Sequence, residues 1–159
     1  MDFVELTEKE YQKFWENHPL KTFLSAPKIA KLREKSNWKS YFVGVKENKK
    51  VVAAALLLSH KRKFNVNEFY SPRGFLLDYN NKELLSFFVE KVKEFAKSKN
   101  GYILRIDPYV IYKQRDINGD IVEGGEDNSH VVEHLTSLGF KKVKTENMEQ
   151  VGWMFSLGL

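Results

Sequence analysis

Hydrophobic positions along this chain recur at two spacings, one of a strand and one of a helix, and the switches between them mark out its elements. Asp2 to Leu6 reads as a short strand. Thr7-Glu8-Lys9-Glu10 has the spacing of a capping box, in which a threonine and a glutamate three residues on satisfy each other's backbone donors. It opens a helix with Tyr11, Phe14 and Trp15 on one face, closed at Pro19. Pro27 suits a first helical position, and Ile29, Ala30, Leu32 and Arg33 make a second short helix that ends before Asn37. Trp38 leads into a strand over Tyr41 to Lys46, and the polar turn Glu47-Asn48-Lys49-Lys50 joins it to Val51 to Ser59. That second run is apolar throughout, as in a central strand covered on both faces. His60-Lys61-Arg62-Lys63 reads as a basic loop and Phe64 to Tyr70 as the next strand, stopped by Pro72-Arg73-Gly74.

Asn80 to Glu83 again has a cap spacing, and Leu84, Leu85, Phe88, Val92, Phe95 and Ala96 recur at helical period up to the stop at Asn100-Gly101. Tyr102 to Asp107 follows a helix, so it is predicted to lie parallel to a neighbouring strand, ending at Asp107-Pro108-Tyr109. After a loop rich in glycine and acid, Asp116 to Glu126, Ser129 caps a short helix through Val131, Val132, Leu135 and Leu138, which Gly139 terminates. Phe140 to Lys144 and Gly152 to Leu157 are predicted to be a closing strand pair. This order predicts an α+β chain, a three-layer α/β sandwich with a mixed, mainly antiparallel sheet, in one domain over residues 1–159. Its ending, a short helix, Leu138-Gly139-Phe140 and two last strands, resembles the acyl-CoA N-acyltransferase fold.

Composition narrows the function classes. The chain has 159 residues, 42% of them hydrophobic, which suffices for one core. It has no cysteine, and so no disulfide scaffold, thiol nucleophile or cysteine-ligated zinc. No apolar run has the length of a membrane span, and Asp2 and Glu5 stand where a signal peptide would be basic, so a cytoplasmic protein is expected. The net charge of +5 permits an anionic partner, a nucleic acid or a membrane face, although its basic residues are interspersed with acids.

Arg73 is the first candidate for chemistry. At a proline-glycine break, its planar fork suits bidentate recognition of a carboxylate or phosphate; the structural alternative pairs it with Asp78 or Asp107. Asp107 brings a carboxylate to a second strand end, where it either serves a site or caps the following turn. His130-Val131-Val132-Glu133-His134 has the His-x-x-Glu-His spacing of an inverted zinc peptidase, but no third ligand is indicated and no metal site is expected. Asp116 to Asp120 opens like a calcium loop with its glycine at the wrong position. Neither a phosphate-binding glycine loop nor a coenzyme A signature is present, and no cofactor is expected.

Phe69-Tyr70-Ser71-Pro72-Arg73-Gly74, Leu77-Asp78-Tyr79, Ile106-Asp107-Pro108-Tyr109, Phe42-Val43-Gly44-Val45 and Leu138-Gly139-Phe140 are together similar, in kind and order, to the Fem/Mur family. Its members are non-ribosomal peptidyl transferases that move an amino acid from aminoacyl-tRNA onto the stem peptide of a peptidoglycan precursor. The resemblance covers the first of two acetyltransferase-like subdomains, which implies that this chain is a fragment of a longer protein. It implies a lipid-linked or UDP-linked muropeptide as acceptor, aminoacyl-tRNA as co-substrate, and a cytoplasmic setting with peripheral contact to the membrane. Arg33 matches the family's basic residue in the short second helix, although Ser25-Ala26 replace the signature that precedes it. Arg73 and Gly74 match its Arg-Gly, Asp107 its Asp-Pro, and Phe75 stands where many members have proline. Arg33 and Arg73 would then meet phosphates or carboxylates, Trp38 and Tyr109 would stack on a uracil or sugar ring, and Asp107 would orient or deprotonate the acceptor amine. Packing and ion pairing are the alternatives for each. Two other readings stay open, a stand-alone N-acyltransferase and a non-catalytic module that binds wall precursors or nucleic acid.

Overall fold

The structure, a computed structural model, describes residues 1–143. Its strands are β1 (Asp2–Glu5), β2 (Trp38–Glu47), β3 (Lys50–Lys61), β4 (Asn67–Ser71) and β5 (Gly101–Ile106). The helices are α1 (Glu8–Asn17), α2 (Pro27–Glu34), α3 (Lys82–Ser98) and α4 (Ser129–Ser137). The sheet runs β1-β2-β3-β4-β5, with the first three pairings antiparallel and β4 parallel to β5. Short turns join β2 to β3 and β3 to β4, α1 and α2 lie between β1 and β2, and the parallel β4–β5 pair needs the α3 crossover.

β3 explains the three layers. Ala53, Ala55 and Leu57 point into one core with Phe69, Phe88, Val92 and the α4 residues Val131 and Leu135. Ala54, Leu56 and Leu58, one residue out of step, point into a second core with Tyr11 of α1, Ala30 of α2 and Tyr70 of β4. A strand buried on both faces cannot alternate, hence its unbroken apolar run. Glu47 pairs with Lys50 across the β2–β3 turn, whose centre residues Asn48 (φ 48°) and Lys49 (φ 65°) are both left-handed, matching the twist of the flanking strands.

The α1 cap forms as its spacing predicts. The Thr7 N–H donates to Glu10 Oε2 at 2.9 Å and the Glu10 N–H to Thr7 Oγ1 at 3.2 Å. Lys46 Nζ of β2 adds a bond to Glu10 Oε1 at 2.6 Å. The lysine and the threonine groups hold the Glu10 carboxyl down at about 2, against an ordinary 4.5. A depressed carboxylate contributes stability above its unfolded value and loses it as pH falls through its folded value. Glu10→Gln is therefore expected to flatten the decline in melting temperature between about pH 4.5 and pH 2. A variant that declines as steeply as the wild type would remove Glu10 from that account.

Gly139, at φ 91°, ends α4 as predicted: its N–H bonds Thr136 O at 2.9 Å and the Phe140 N–H reaches back to Leu135 O at 3.1 Å. Other boundaries differ from expectation. His60 and Lys61 belong to β3, because His60 is paired on both sides, with Trp38 and Glu68, and Trp38 itself begins β2. The expected strand at Phe64 is a short 3-10 turn, with Phe64 at φ 61° and almost fully exposed. The cap of α3 is Asn81, whose Oδ1 accepts the Leu84 N–H at 3.0 Å, one residue beyond the expected Asn80. Ser129 is the first residue of α4, and Asp127 Oδ1 accepts its N–H at 2.9 Å. Phe140 to Val143 shows no strand, and the expected Gly152 to Leu157 lies outside the described residues.

Candidate functional site

The parallel pairing of β4 with β5 matches Ser71 to Ile106, so both strands end side by side and the next residues emerge together. After β4 the chain turns through Ser71-Pro72-Arg73-Gly74, with the Gly74 N–H facing Ser71 O at 3.4 Å and Arg73 left-handed at φ 50°. Proline fits the second position of such a turn. A Cβ on Gly74 would lie 2.4 Å from Ser71 Oγ, so only glycine lets the turn close over that buried hydroxyl. Gly74 is buried and shapes the turn.

β5 ends one residue before Asp107, whose two oxygens are both engaged. Oδ1 accepts the Arg73 N–H at 2.7 Å, and Oδ2 accepts the Tyr70 hydroxyl at 3.1 Å. The Arg73 side chain turns back over the same group, with Nε 3.8 Å from Asp107 Oδ2, and its guanidinium carbon lies 5.8 Å from the centre of the Tyr109 ring. Burial pushes the Asp107 carboxyl above its usual range, against the opposing pull of the Arg73 N–H, the Tyr70 hydroxyl and the Arg73 charge. Nη1 and Nη2 of Arg73 find no hydrogen-bond acceptor among the described residues, and the side chain keeps 12% of its surface exposed. Among the described residues this is a guanidinium held by its inner edge, with its outer donors unspent, a geometry whose chemistry suits an oxyanion.

Arg73, Asp107 and Tyr109 therefore converge as their strand ends predict. The pairing of Arg73 with Asp107 forms, as the structural alternative expects. Asp78 lies apart, exposed and accepting the Asn80 N–H at 2.9 Å. Arg33 is exposed on α2 with no contact to this cluster among the described residues. The Trp38 ring packs 4.9 Å from the His60 ring, at the far end of the face that carries Tyr70. The residue that sequence reasoning missed is Tyr70. Its signal was present: Asp107 lies two residues beyond Arg105, the parallel partner of Tyr70, so the carboxylate and the phenol share one face.

The basic run is not a free tip. Arg62 pairs with the buried Glu68, Nη2 to Oε2 at 2.6 Å, and Arg105 approaches the other oxygen at 3.3 Å. His130 and His134 take separate partners, Asn80 Oδ1 at 2.7 Å and Ser86 Oγ at 3.1 Å. Asp116 Oδ1 accepts the N–H groups of Asn118 and Asp120, both at 2.9 Å, so it closes its own turn. Beyond Asp107, a cavity of about 100 Å³ lies between Pro108, Val110 and Tyr112 on one side and Val131, Val132 and Leu135 of α4 on the other. It is smaller than pockets that enclose a drug-sized ligand, roughly 300–1,000 Å³. No helix among the described residues is long and apolar enough to cross a membrane.

Comparison with known proteins bears on both fold and family. An acetyltransferase from Trypanosoma brucei and glucosamine-6-phosphate N-acetyltransferase from Arabidopsis thaliana superpose with TM-scores of 0.54 and 0.53, each 14% identical. The first covers 99% of both chains and the second 98% of both. At that identity they establish the fold alone, the expected N-acyltransferase sandwich. The crystal structure of FemX superposes with a TM-score of 0.73 at 29% identity, over 89% of this chain and 32% of that one. The aminoacyltransferase FemA of Staphylococcus epidermidis is 34% identical over 142 residues, 89% of this chain, and FemA of Staphylococcus aureus is 32% identical over the same length. The chain spans 34% of the length of these relatives. The model of the FemAB family matches residues 6–159, and this chain belongs to that family.

Proposed function

We propose that this chain is the precursor-binding subdomain of an aminoacyltransferase that moves an amino acid from aminoacyl-tRNA onto the stem peptide of a peptidoglycan precursor. The observation that carries this reading is the Arg73 guanidinium, oriented by Asp107 and Tyr109 and still offering Nη1 and Nη2 at the ends of two parallel strands. A muropeptide precursor bears phosphates and carboxylates, the groups such a fork recognises in pairs.

In the transfer, the amine of the stem peptide attacks the ester carbonyl of the charged tRNA, an amide bond forms, the ester bond breaks and the ribose hydroxyl leaves with a proton. The task of this chain is to hold the acceptor so that its amine meets that carbonyl. Asp107 serves by orientation. Both its oxygens are engaged by the protein, and a carboxylate is a weak base for an ammonium. Arg33 and Trp38, on the α1–α2 side of the sheet, extend the acceptor surface. Aminoacyl-tRNA is the co-substrate and no further cofactor takes part. The setting is cytoplasmic, with peripheral membrane contact when the acceptor is lipid-linked.

Calorimetric titration of the chain with UDP-linked muropeptide tests the binding role. Passage of labelled amino acid from charged tRNA to the same precursor, by the protein that contains this chain, tests the class. Saturable binding with transfer is expected; a protein that neither binds the precursor nor transfers the label overturns the reading.

A further inference from the structure

Tyr70 is 6% exposed near the end of β4, where it packs with Leu56, Leu58 and Leu76, while Glu68 and Arg105 lie on the same face. A buried phenol needs a partner for its hydroxyl, and this one donates to Asp107 Oδ2. That oxygen is the one nearest Arg73 Nε, while the other holds the Arg73 backbone N–H. Tyr70 and the Arg73 N–H thus hold one carboxylate oxygen each, and the carboxylate touches both ends of Arg73: the left-handed backbone and the guanidinium. Among the described residues, Tyr79 cannot take its place. The Tyr79 hydroxyl is committed to Phe75, accepting its N–H at 2.6 Å and donating to its carbonyl at 3.1 Å, and burial keeps that phenol neutral.

We propose that Tyr70 is a positioning residue of the oxyanion site: through Asp107 its hydroxyl aims the Arg73 fork at the acid group of the acceptor. The ligand class rests on the reading above, whereas the clamp itself does not. Without the hydroxyl, Asp107 Oδ2 loses its fixed donor, the carboxylate rotates, and Arg73 samples orientations in which only one donor meets the ligand. The ring of Tyr70 packs in the core, so Tyr70→Phe preserves that packing and removes the hydroxyl.

The test compares the wild-type chain with Tyr70→Phe by NMR and by titration with UDP-linked muropeptide. Loss of the hydroxyl should move the Asp107 carboxyl titration further upward, since that bond favours the charged form. It should raise the mobility of the Arg73 Nε–H, and weaken precursor binding about three- to tenfold. A merely structural phenol would leave the Arg73 signal and the Asp107 titration unmoved, and that result refutes the clamp. Unchanged precursor affinity in a variant whose Arg73 has become mobile also overturns the proposal. If the wild type fails to bind the precursor while the variant still frees Arg73, the clamp stands and the muropeptide reading falls.

Discussion

Phe75→Ala is expected to lower the unfolding free energy by about 3–5 kcal/mol, the range for emptying a large aromatic site in a well-packed core. Phe75 is fully buried, meets Phe88 edge-on at 5.0 Å, and follows Gly74 directly. Its backbone is pinned at both ends, the N–H and the carbonyl both bonding the Tyr79 hydroxyl. The next residue, Leu76, exchanges two 2.9 Å backbone bonds with Ala54 of β3, so the segment leaving the site is stitched to the central strand. Emptying the Phe75 site removes the packing beneath the Arg73 turn as well as core volume. For a chain of this size the loss amounts to a fall in melting temperature of roughly 10 °C. Phe75→Leu, which keeps most of the volume, should cost less than about 1.5 kcal/mol. A melting temperature for the alanine variant within about 2 °C of the wild type would show that this residue does not support the fold as described.

Arg73→Gly separates binding from folding. An arginine at φ 50° occupies a backbone region that glycine enters without steric cost, so the substitution relieves the turn while it removes the ion pair and the contact with Tyr109. These effects oppose one another, and stability should stay within about 1 kcal/mol of the wild type. Affinity for UDP-linked muropeptide should fall by about 10- to 100-fold, the worth of charge-assisted hydrogen bonds to an anion. Arg73→Lys, which keeps the charge but not the fork, should lie between the two. Equal affinity in wild type and the glycine variant would make Arg73 a structural residue only.

Several elements were legible because their cause is local. The Thr7–Glu10 box needs only three-residue spacing, Gly139 only a left-handed position, and α3 only a sustained period of Leu and Phe. The unbroken run of β3 announced a strand covered on both sides, and the helix before Tyr102 announced a parallel partner, which brought Asp107 beside Arg73. Other features had no local cause. Asn80 and Asn81 are equally able caps until the backbone angles select one, and Phe64 reads as a strand residue although it turns the chain in solvent. The basic character of His60 to Lys63 suggested a free loop, because the sequence does not show that Glu68 lies opposite to neutralise Arg62.

Taken alone, the order of residues determined the sandwich, its covered central strand, and the placing of a guanidinium and a carboxylate each at a strand end. Each follows from a periodicity or a turn residue that acts within a few positions of itself. Only the tertiary structure decided that both oxygens of Asp107 are engaged, that Tyr70 is one of the donors, that Trp38 meets His60, and that Arg33 stands apart. Those outcomes depend on side-chain directions across strands far apart in the chain, where a hydrogen bond is gained or lost within a fraction of an ångström.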